Sequence, residues 1–121
     1  MQNINTSFIK YNNIEIIKED KQETIGKCVI TDNSLNPFGI VHGGLIFSLG
    51  DTVMGVHANI LGGKSLTLNA SINYLKPSTG SFLIAKSTVI KKGHKTCILN
   101  TNIYDSNDVL IAIMNSTYFY I

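Results

Sequence analysis

The strongest constraint on the fold is one helix-forming segment that is apolar on nearly all of its faces. Between Gly43 and about Leu61 the apolar residues follow the 3.6-residue period of a helix, and further apolar residues fill its other faces. Gly62 and Gly63 follow, and such a pair is typical of a helix C-cap, because glycine accepts left-handed dihedrals. A helix of this kind needs other elements to cover most of its surface.

The rest of the chain predicts strands that can supply this cover. Short segments bounded by turn residues precede the helix, and period-two alternation follows it. The predicted strands are 14–18, 24–31, a strand from just after Lys64 to about Tyr74, 81–91, 95–104 and 109–120. We therefore predict an α+β domain, in which a curved antiparallel sheet of about six strands wraps around one long central helix at about residues 43–61.

The third predicted strand carries the clearest alternation. Five apolar residues alternate there with Thr, Asn and Ser, namely Leu66, Leu68, Ala70, Ile72 and Tyr74. This pattern predicts a strand with one buried face. The sequence contains no repeat, linker or low-complexity tract, so we expect a single domain over residues 1–121.

The composition excludes several classes of protein. A net charge of +2 is too small to predict nucleic-acid binding. Hydrophobic residues make up 44% of the chain, which excludes a disordered tail and favours burial of surface in an oligomer. All ten basic residues are Lys, so a bound anion meets point charges rather than the bidentate fork of Arg. Cys28 and Cys97 lie far apart in apolar stretches, which predicts two buried thiols.

Two segments bear on cellular location. Residues Met1 to Lys10 are polar and lack a secretory hydrophobic region, which predicts a cytoplasmic protein. The apolar stretch 38–61 resembles a membrane span in hydropathy, but Asp51 lies within it, and a central carboxylate is costly in a bilayer. We therefore predict a buried helix and no membrane association.

Asp51 is the first candidate for chemistry. It is the only formally charged side chain between His42 and Leu61, and no Lys lies three or four positions away to pair with it. Burial of an unpaired carboxylate is costly, so such a residue often marks a site where chemistry offsets the cost. The structural alternative is an Asp at a solvated seam, or one bonded to Thr52 or Asn59.

The start of the same helix offers complementary groups. Gly43 and Gly44 place backbone N–H groups at the positive end of the helix dipole, which suits a developing oxyanion, although a glycine pair also serves tight packing. Asp51 lies about 10 Å beyond Gly44 along the helix axis, so one helix cannot present both groups to one carbonyl. Two antiparallel helices in a two-fold homodimer can do so.

Sequence motifs point to a family. The run from Asn36 to Asp51 reads Asn-Pro-Phe-Gly-Ile-Val-His-Gly-Gly-Leu-Ile-Phe-Ser-Leu-Gly-Asp. It resembles the signature of hotdog-fold thioesterases of the phenylacetate-pathway PaaI type, in the 4-hydroxybenzoyl-CoA thioesterase superfamily. The stretch from Thr67 to Pro77, Gly80 and the Lys-Gly-His turn at 92–94 are also similar to this family, so the resemblance covers most of the chain.

The resemblance implies an enzyme and its site. The expected protein is a hotdog homodimer, commonly paired into a homotetramer, that hydrolyses an acyl-CoA substrate without metal or organic cofactor. Asp51 matches the family's catalytic acid, and Gly43 matches the glycine whose N–H polarises the thioester carbonyl, with the acid and glycine supplied by opposite subunits. His42 matches the residue before that glycine, and Asn36 a polar residue of the same site. Whether the carboxylate attacks the carbonyl or activates a water stays open.

Further residues are candidates for substrate contacts. They are Gly44, Thr52, Gly55, Tyr74, Lys76, Lys92, Gly93, His94 and Lys95. Lys76 and His94 stand where the family often has Arg, so the CoA phosphates fall to lysines. Gly55 stands where relatives can carry a polar residue, which implies a roomier or less polar pocket.

Other functions are less well supported by the sequence. His42, His57 and Asp51 lack the spacing of metal ligands, so no metal is predicted, and we expect His57 to be a partly buried helix residue. Hotdog hydratases and dehydratases usually show a His-Phe-Pro or related run that is absent here. A non-catalytic acyl-CoA binding module is expected to carry an appended regulatory segment, for which this chain has no spare residues. Aromatic, short and medium-chain acyl groups all stay open.

Overall fold

The computed structural model describes residues 6–121, which form two helices, one short 3-10 turn and six strands. The helices are α1 (Ser7–Tyr11) and α2 (Gly43–Gly62), and the 3-10 turn is Asp32–Ser34. The strands are β1 (Ile14–Glu19), β2 (Glu23–Val29), β3 (Ser65–Tyr74), β4 (Phe82–Lys92), β5 (Thr96–Asp105) and β6 (Leu110–Tyr120). The six-strand prediction is confirmed, with bounds that differ by at most two residues.

The strands form one antiparallel sheet in the order β1-β2-β4-β5-β6-β3. Sequential hairpins build most of it, whereas β3 crosses over to pair with β6 at the far edge. In this pairing Thr67 lies opposite Tyr118, and the register shifts immediately afterwards, between Thr67 and Asn69. Among residues 6–121, β1 and β3 are therefore the two edge strands of the sheet.

Helix α2 packs against all six strands, as the wrapped-helix prediction requires. Its side chains at Leu49, Val53, Met54 and Ala58 are completely buried. The approach to β2 is close enough that a Cβ atom at Gly26 would collide with Val53. Gly63 ends the helix with a φ of 97°, in the left-handed region that glycine favours.

Within the described residues, α2 alone passes a test of length and hydropathy for a membrane span, with a mean hydropathy of 1.2. Half of its most apolar window is buried inside the protein. The central helices of soluble proteins pass the same test, so this finding is weak evidence for a span.

Strand β3 departs from the predicted burial. Leu66 and Leu68 are 60% and 65% exposed, while Ala70 and Ile72 are half-buried. The prediction of one buried face is therefore wrong for the single chain, because β3 is an edge strand and the register shift interrupts its alternation. These leucines leave apolar surface beside the unpaired backbone groups of the edge.

Both cysteines are buried free thiols, as predicted. Burial raises the pKa of the Cys28 thiol to about 11 and also raises the pKa of Cys97. Neither group is therefore a reactive thiolate near neutral pH.

His57 is fully buried rather than partly buried. Its Nε2 lies 2.9 Å from the Lys21 carbonyl oxygen, and its Nδ1 lies 2.8 Å from Ser87 Oγ. A carbonyl oxygen only accepts, so Nε2 donates to it, and Nδ1 shares a hydrogen bond with the Ser87 hydroxyl. The ring thus joins α2 to β4 and to the turn before β2.

Replacement of His57 by Leu should lower the free energy of unfolding by about 3 kcal/mol, because Ser87 and the Lys21 carbonyl each lose a partner. Urea unfolding measures this change as a lower midpoint with an unchanged slope. The matched control is His94→Leu, at an exposed turn, which should change stability by less than about 0.5 kcal/mol. Equal midpoints for the two variants would contradict the proposed role of His57.

Candidate active site

The Asp51 carboxylate is held by two hydroxyl groups from the sheet. Thr67 on β3 donates its Oγ1–H to Asp51 Oδ1 over 2.9 Å. Tyr118 on β6 donates to the same Oδ1 over 2.6 Å and also lies 2.9 Å from the main-chain oxygen of Asp51. No hydrogen bond or ion pair of Asp51 Oδ2 occurs within residues 6–121. The helix therefore presents a half-buried carboxylate, of which Oδ1 is held and Oδ2 has no partner among the described residues.

Tyr118 remains a hydrogen-bond donor at any ordinary pH. Its side chain is 2% exposed, and burial raises the pKa of the phenol well above its usual value. The neighbouring Asp51 carboxylate raises this pKa further, by its charge and by the hydrogen bond. The phenol is thus neutral, and its proton stays available to the carboxylate.

Asp51 opens into a cavity of about 380 Å³, here called the Asp51 cavity. Two predicted contact residues, Thr52 and Gly55, line it. A Cβ atom at Gly55 would meet only Tyr118, at 3.8 Å, which fits the expectation of a roomy pocket. Further lining comes from Ile9, Val56, Asn59, Lys64, Leu66 and Thr67. Within the described residues, the walls thus carry apolar, hydroxyl and amide groups and one lysine.

The start of α2 is organised differently from the prediction. His42 caps the helix, because its Nδ1 accepts the Gly44 N–H over 2.8 Å. The expectation that both glycine N–H groups are free is therefore wrong for Gly44. Within the described chain the Gly43 N–H has no acceptor, so this one donor is available to a ligand.

Tyr74 positions the first residue of the helix. Its hydroxyl donates to the Gly43 carbonyl oxygen over 2.8 Å, and a Cβ atom at Gly43 would lie 3.2 Å from the Tyr74 ring. Partial burial raises the pKa of this phenol. The close approach of the ring explains why the smallest residue stands at Gly43.

Asn36 shapes the loop that leads to the helix. Its Oδ1 accepts the N–H groups of Phe38 and Ile40, over 2.9 and 3.3 Å. A second cavity of about 340 Å³, here called the Gly43 cavity, brings together four predicted residues, namely Asn36, Gly43, Tyr74 and Lys76. The side-chain oxygen of Asn36 is used by hydrogen bonds within the loop, so its side-chain NH2 group is the part that can donate to a ligand.

The two cavities share no lining residue. One chain therefore does not bring Asp51 and Gly43 together. The remaining predicted residues are Lys92, which ends β4, and Gly93, His94 and Lys95 in the turn that follows, and they line neither cavity in the described part of the protein. Lys92 instead lies over the Tyr120 ring, at 4.7 Å, and donates to the Gly93 carbonyl oxygen over 2.6 Å.

Sequence reasoning missed four residues around Asp51. Tyr118 and Thr67 carry no sequence signal, because their approach to Asp51 depends on the sheet register. Lys64 follows the helix cap, and Ile9 belongs to α1, which is too short to be recognised from periodicity. Among residues 6–121 no group of three His, Cys, Asp or Glu side chains is placed to hold a metal ion.

The fold and this arrangement define a hotdog-type domain with a carboxylate on its central helix. The family model described as Thioesterase superfamily matches residues 38–112. The chain therefore belongs to the thioesterase superfamily, a family of thioester hydrolases.

Two curated relatives support this assignment. A protein of Archaeoglobus fulgidus named "Putative esterase" is 32% identical over 75% of this chain and 60% of its own length, so the match spans less than two thirds of that relative. The "Acyl-coenzyme A thioesterase PaaI" of Escherichia coli is 28% identical over 83% of this chain and 72% of its own length.

Solved structures confirm the hotdog fold and the resemblance to PaaI. The Escherichia coli PaaI structure superimposes with a TM-score of 0.91 and 25% identity, covering 97% of this chain and 86% of that chain. A hypothetical thioesterase of Streptococcus pneumoniae, solved with coenzyme A, gives a TM-score of 0.85 and 30% identity, covering 90% of this chain and 86% of that chain.

Two glycines of α2 should respond to alanine in opposite ways. Gly55→Ala adds a methyl group to open cavity space and removes a helix-interior glycine, so it should raise the free energy of unfolding by about 0.5 to 1 kcal/mol. Gly50→Ala places a methyl group 2.7 Å from Met114 Sδ in the core, so it should lower stability by about 1 to 3 kcal/mol. Thermal or urea unfolding compares the two variants. A destabilised Gly55→Ala would mean that the Asp51 cavity is not open at this point.

Proposed function

We propose that this protein is an acyl-CoA thioesterase, which hydrolyses a thioester to a free carboxylic acid and CoA. The observation that carries the proposal is the Asp51 carboxylate at the wall of a cavity, held through Oδ1, while Oδ2 has no partner among residues 6–121. Membership in the thioesterase superfamily supports the reaction class. The name of the Escherichia coli relative and the coenzyme A in the streptococcal structure support the substrate class.

The proposed mechanism uses two groups. The Gly43 N–H donates to the thioester carbonyl oxygen and stabilises the oxyanion that develops there. The Asp51 carboxylate either attacks the carbonyl carbon, to give a mixed anhydride that water then cleaves, or removes a proton from an attacking water. Both routes consume one water and release CoA as a thiol. No metal or organic cofactor takes part in either route.

The two groups come from different subunits in this proposal. Their separation into two cavities of the single chain supports this division. A homodimer whose two-fold axis passes beside β3 would lay two copies of α2 antiparallel and bring the Asp51 cavity of one chain to the Gly43 cavity of the other. The exposed edge of β3, with Leu66 and Leu68, supports this contact surface. Further pairing into a homotetramer stays a prediction.

Lysines receive the phosphates of CoA in this proposal. Lys76 lines the Gly43 cavity, and Lys64 lines the Asp51 cavity, so both stand close to the expected path of the substrate. The end of β4 at Lys92 and the turn of Gly93, His94 and Lys95 remain a predicted outer contact. The cytoplasmic location remains a prediction, and so does the single domain over residues 1–121. Both predictions include residues 1–5, which lie outside the described residues.

Loss of the carboxylate tests the reaction. Asp51→Asn should lower kcat/KM at least about 100-fold, a loss of about 2.7 kcal/mol of transition-state stabilisation, because the amide is neither a base nor a nucleophile. A thiol-reactive dye reports CoA release over a panel of aryl-CoA, short-chain and medium-chain acyl-CoA substrates, and the wild-type panel ranks the acyl groups. If both proteins are inert but still bind acyl-CoA, the protein is a binding module instead.

The Gly43 N–H can be removed without a change of secondary structure. Gly43 is the first residue of α2, where proline is tolerated, and His42 has the extended backbone that precedes proline. Gly43→Pro should lower kcat about 100-fold by deleting the donor. Gly43→Ala is the matched control, because it crowds Tyr74 in a similar way but keeps the N–H. Equal losses in the two variants would assign the effect to crowding and not to the donor.

Mixing the two inactive variants tests the shared site. A heterodimer of Asp51→Asn and Gly43→Pro subunits contains one intact site if Asp51 and Gly43 come from opposite chains, and none if they come from the same chain. Random exchange of subunits should therefore restore about a quarter of the wild-type activity. Activity that stays at the level of the separate variants after proven subunit exchange would exclude a site across the interface.

A further inference from the structure

The Tyr118 phenol makes the shortest hydrogen bond to the proposed catalytic carboxylate. We infer that Tyr118 is a positioning residue that holds Asp51 Oδ1, so that Oδ2 is the oxygen that reacts with the thioester or the water. The inference rests on the proposed function, since it concerns the same carboxylate. Tyr118 lies on β6, the last strand, and no sequence motif marks it. The inference adds this residue to the proposed active site.

The hydroxyl groups of Tyr118 and Thr67 hold Asp51 Oδ1 from the sheet, and this pair of donors is here called the clamp. Tyr118 contacts both the side-chain oxygen and the main-chain oxygen of Asp51, at 2.6 and 2.9 Å, which ties the carboxylate to the helix backbone. Thr67 is the cross-strand partner of Tyr118 and donates to the same Oδ1. Two donors occupy the lone pairs of Oδ1, so it has little capacity for a further hydrogen bond. No donor within residues 6–121 occupies the lone pairs of Oδ2.

The hydroxyl donors also replace part of the hydration that Asp51 loses on burial. Asp51 has no cationic partner within residues 6–121, so hydrogen bonds from Tyr118 and Thr67 are the interactions that offset its partial burial. A fixed carboxylate loses little rotational freedom on the way to the transition state. The clamp therefore both offsets the burial of the Asp51 carboxylate and fixes its orientation.

Tyr120 separates this role from simple anchoring of the helix. It lies two residues along the same strand, and its hydroxyl donates to the Ala58 carbonyl oxygen of α2 over 2.8 Å. Tyr118 and Tyr120 thus both bond the helix backbone, but only Tyr118 also bonds the Asp51 carboxylate. The substitution Tyr120→Phe is therefore a matched control for the substitution Tyr118→Phe.

The test compares kcat and KM of the full-length wild type, Tyr118→Phe and Tyr120→Phe. Tyr118→Phe should lower kcat about 10- to 100-fold with little change in KM, because a carboxylate that is free to rotate is less often in the reactive orientation. Tyr120→Phe should keep the wild-type kcat and KM.

Thr67→Val removes the second donor at an exposed position of β3, so it gives the same test if Tyr118→Phe fails to fold. It should also lower kcat with little change in KM. A wild-type kcat in Tyr118→Phe, or in Thr67→Val if Tyr118→Phe does not fold, would overturn the inference.

A second readout does not depend on catalysis. NMR records the carboxyl carbon of Asp51 at one fixed pH in each protein, and its signal is assigned by its loss in Asp51→Asn. A displaced signal in Tyr118→Phe beside an unchanged signal in Tyr120→Phe supports the clamp, and an unchanged signal in Tyr118→Phe overturns it. If the wild type hydrolyses no thioester in the panel, the proposed function fails, while this comparison still decides whether Tyr118 holds the carboxylate.

Discussion

The burial of helix α2 by the curved sheet is the constraint on which the rest of the structure depends. The helix is apolar on most faces and contacts all six strands, so its position sets the curvature of the sheet. Close packing at Gly26 and Gly50 leaves no room for a methyl group on either residue, which holds the helix at a fixed depth. Both halves of the proposed site lie on this helix, Gly43 at its first residue and Asp51 in its middle. The packing that stabilises the protein thus also positions the two proposed catalytic groups.

The fold could be predicted from the sequence because its signals are local. Period-two alternation and the single 3.6-period segment each depend on residues close together in the chain, and these elements were predicted with nearly correct bounds. The burial of Leu66 and Leu68 could not be predicted in the same way, because it depends on what lies beside the sheet edge. Helix α1 was missed because five residues make little more than one turn.

The candidate site was predictable only in part. Asp51 stands out in the sequence as the one charge in an apolar helix, and Thr52 and Gly55 follow it into the same cavity. The free N–H at Gly44 was wrongly predicted, because a histidine side chain can cap a helix and His42 does so. Tyr118 could not be found, since 67 residues separate it from Asp51 and only the pairing of β3 with β6 brings them together.

The same edge strand links the proposed dimer to the geometry of the carboxylate. Thr67 donates to Asp51 from β3, and β3 carries the exposed leucines on either side of Thr67. An edge strand that is paired on only one side is held less firmly than a strand inside a sheet, because half of its backbone groups lack protein partners. Pairing of β3 with a second chain would therefore fix Thr67, and through it Asp51 Oδ1. Dimer formation in the proposal then does two things at once: it brings the Gly43 N–H to the site, and it orders the carboxylate that the N–H must face.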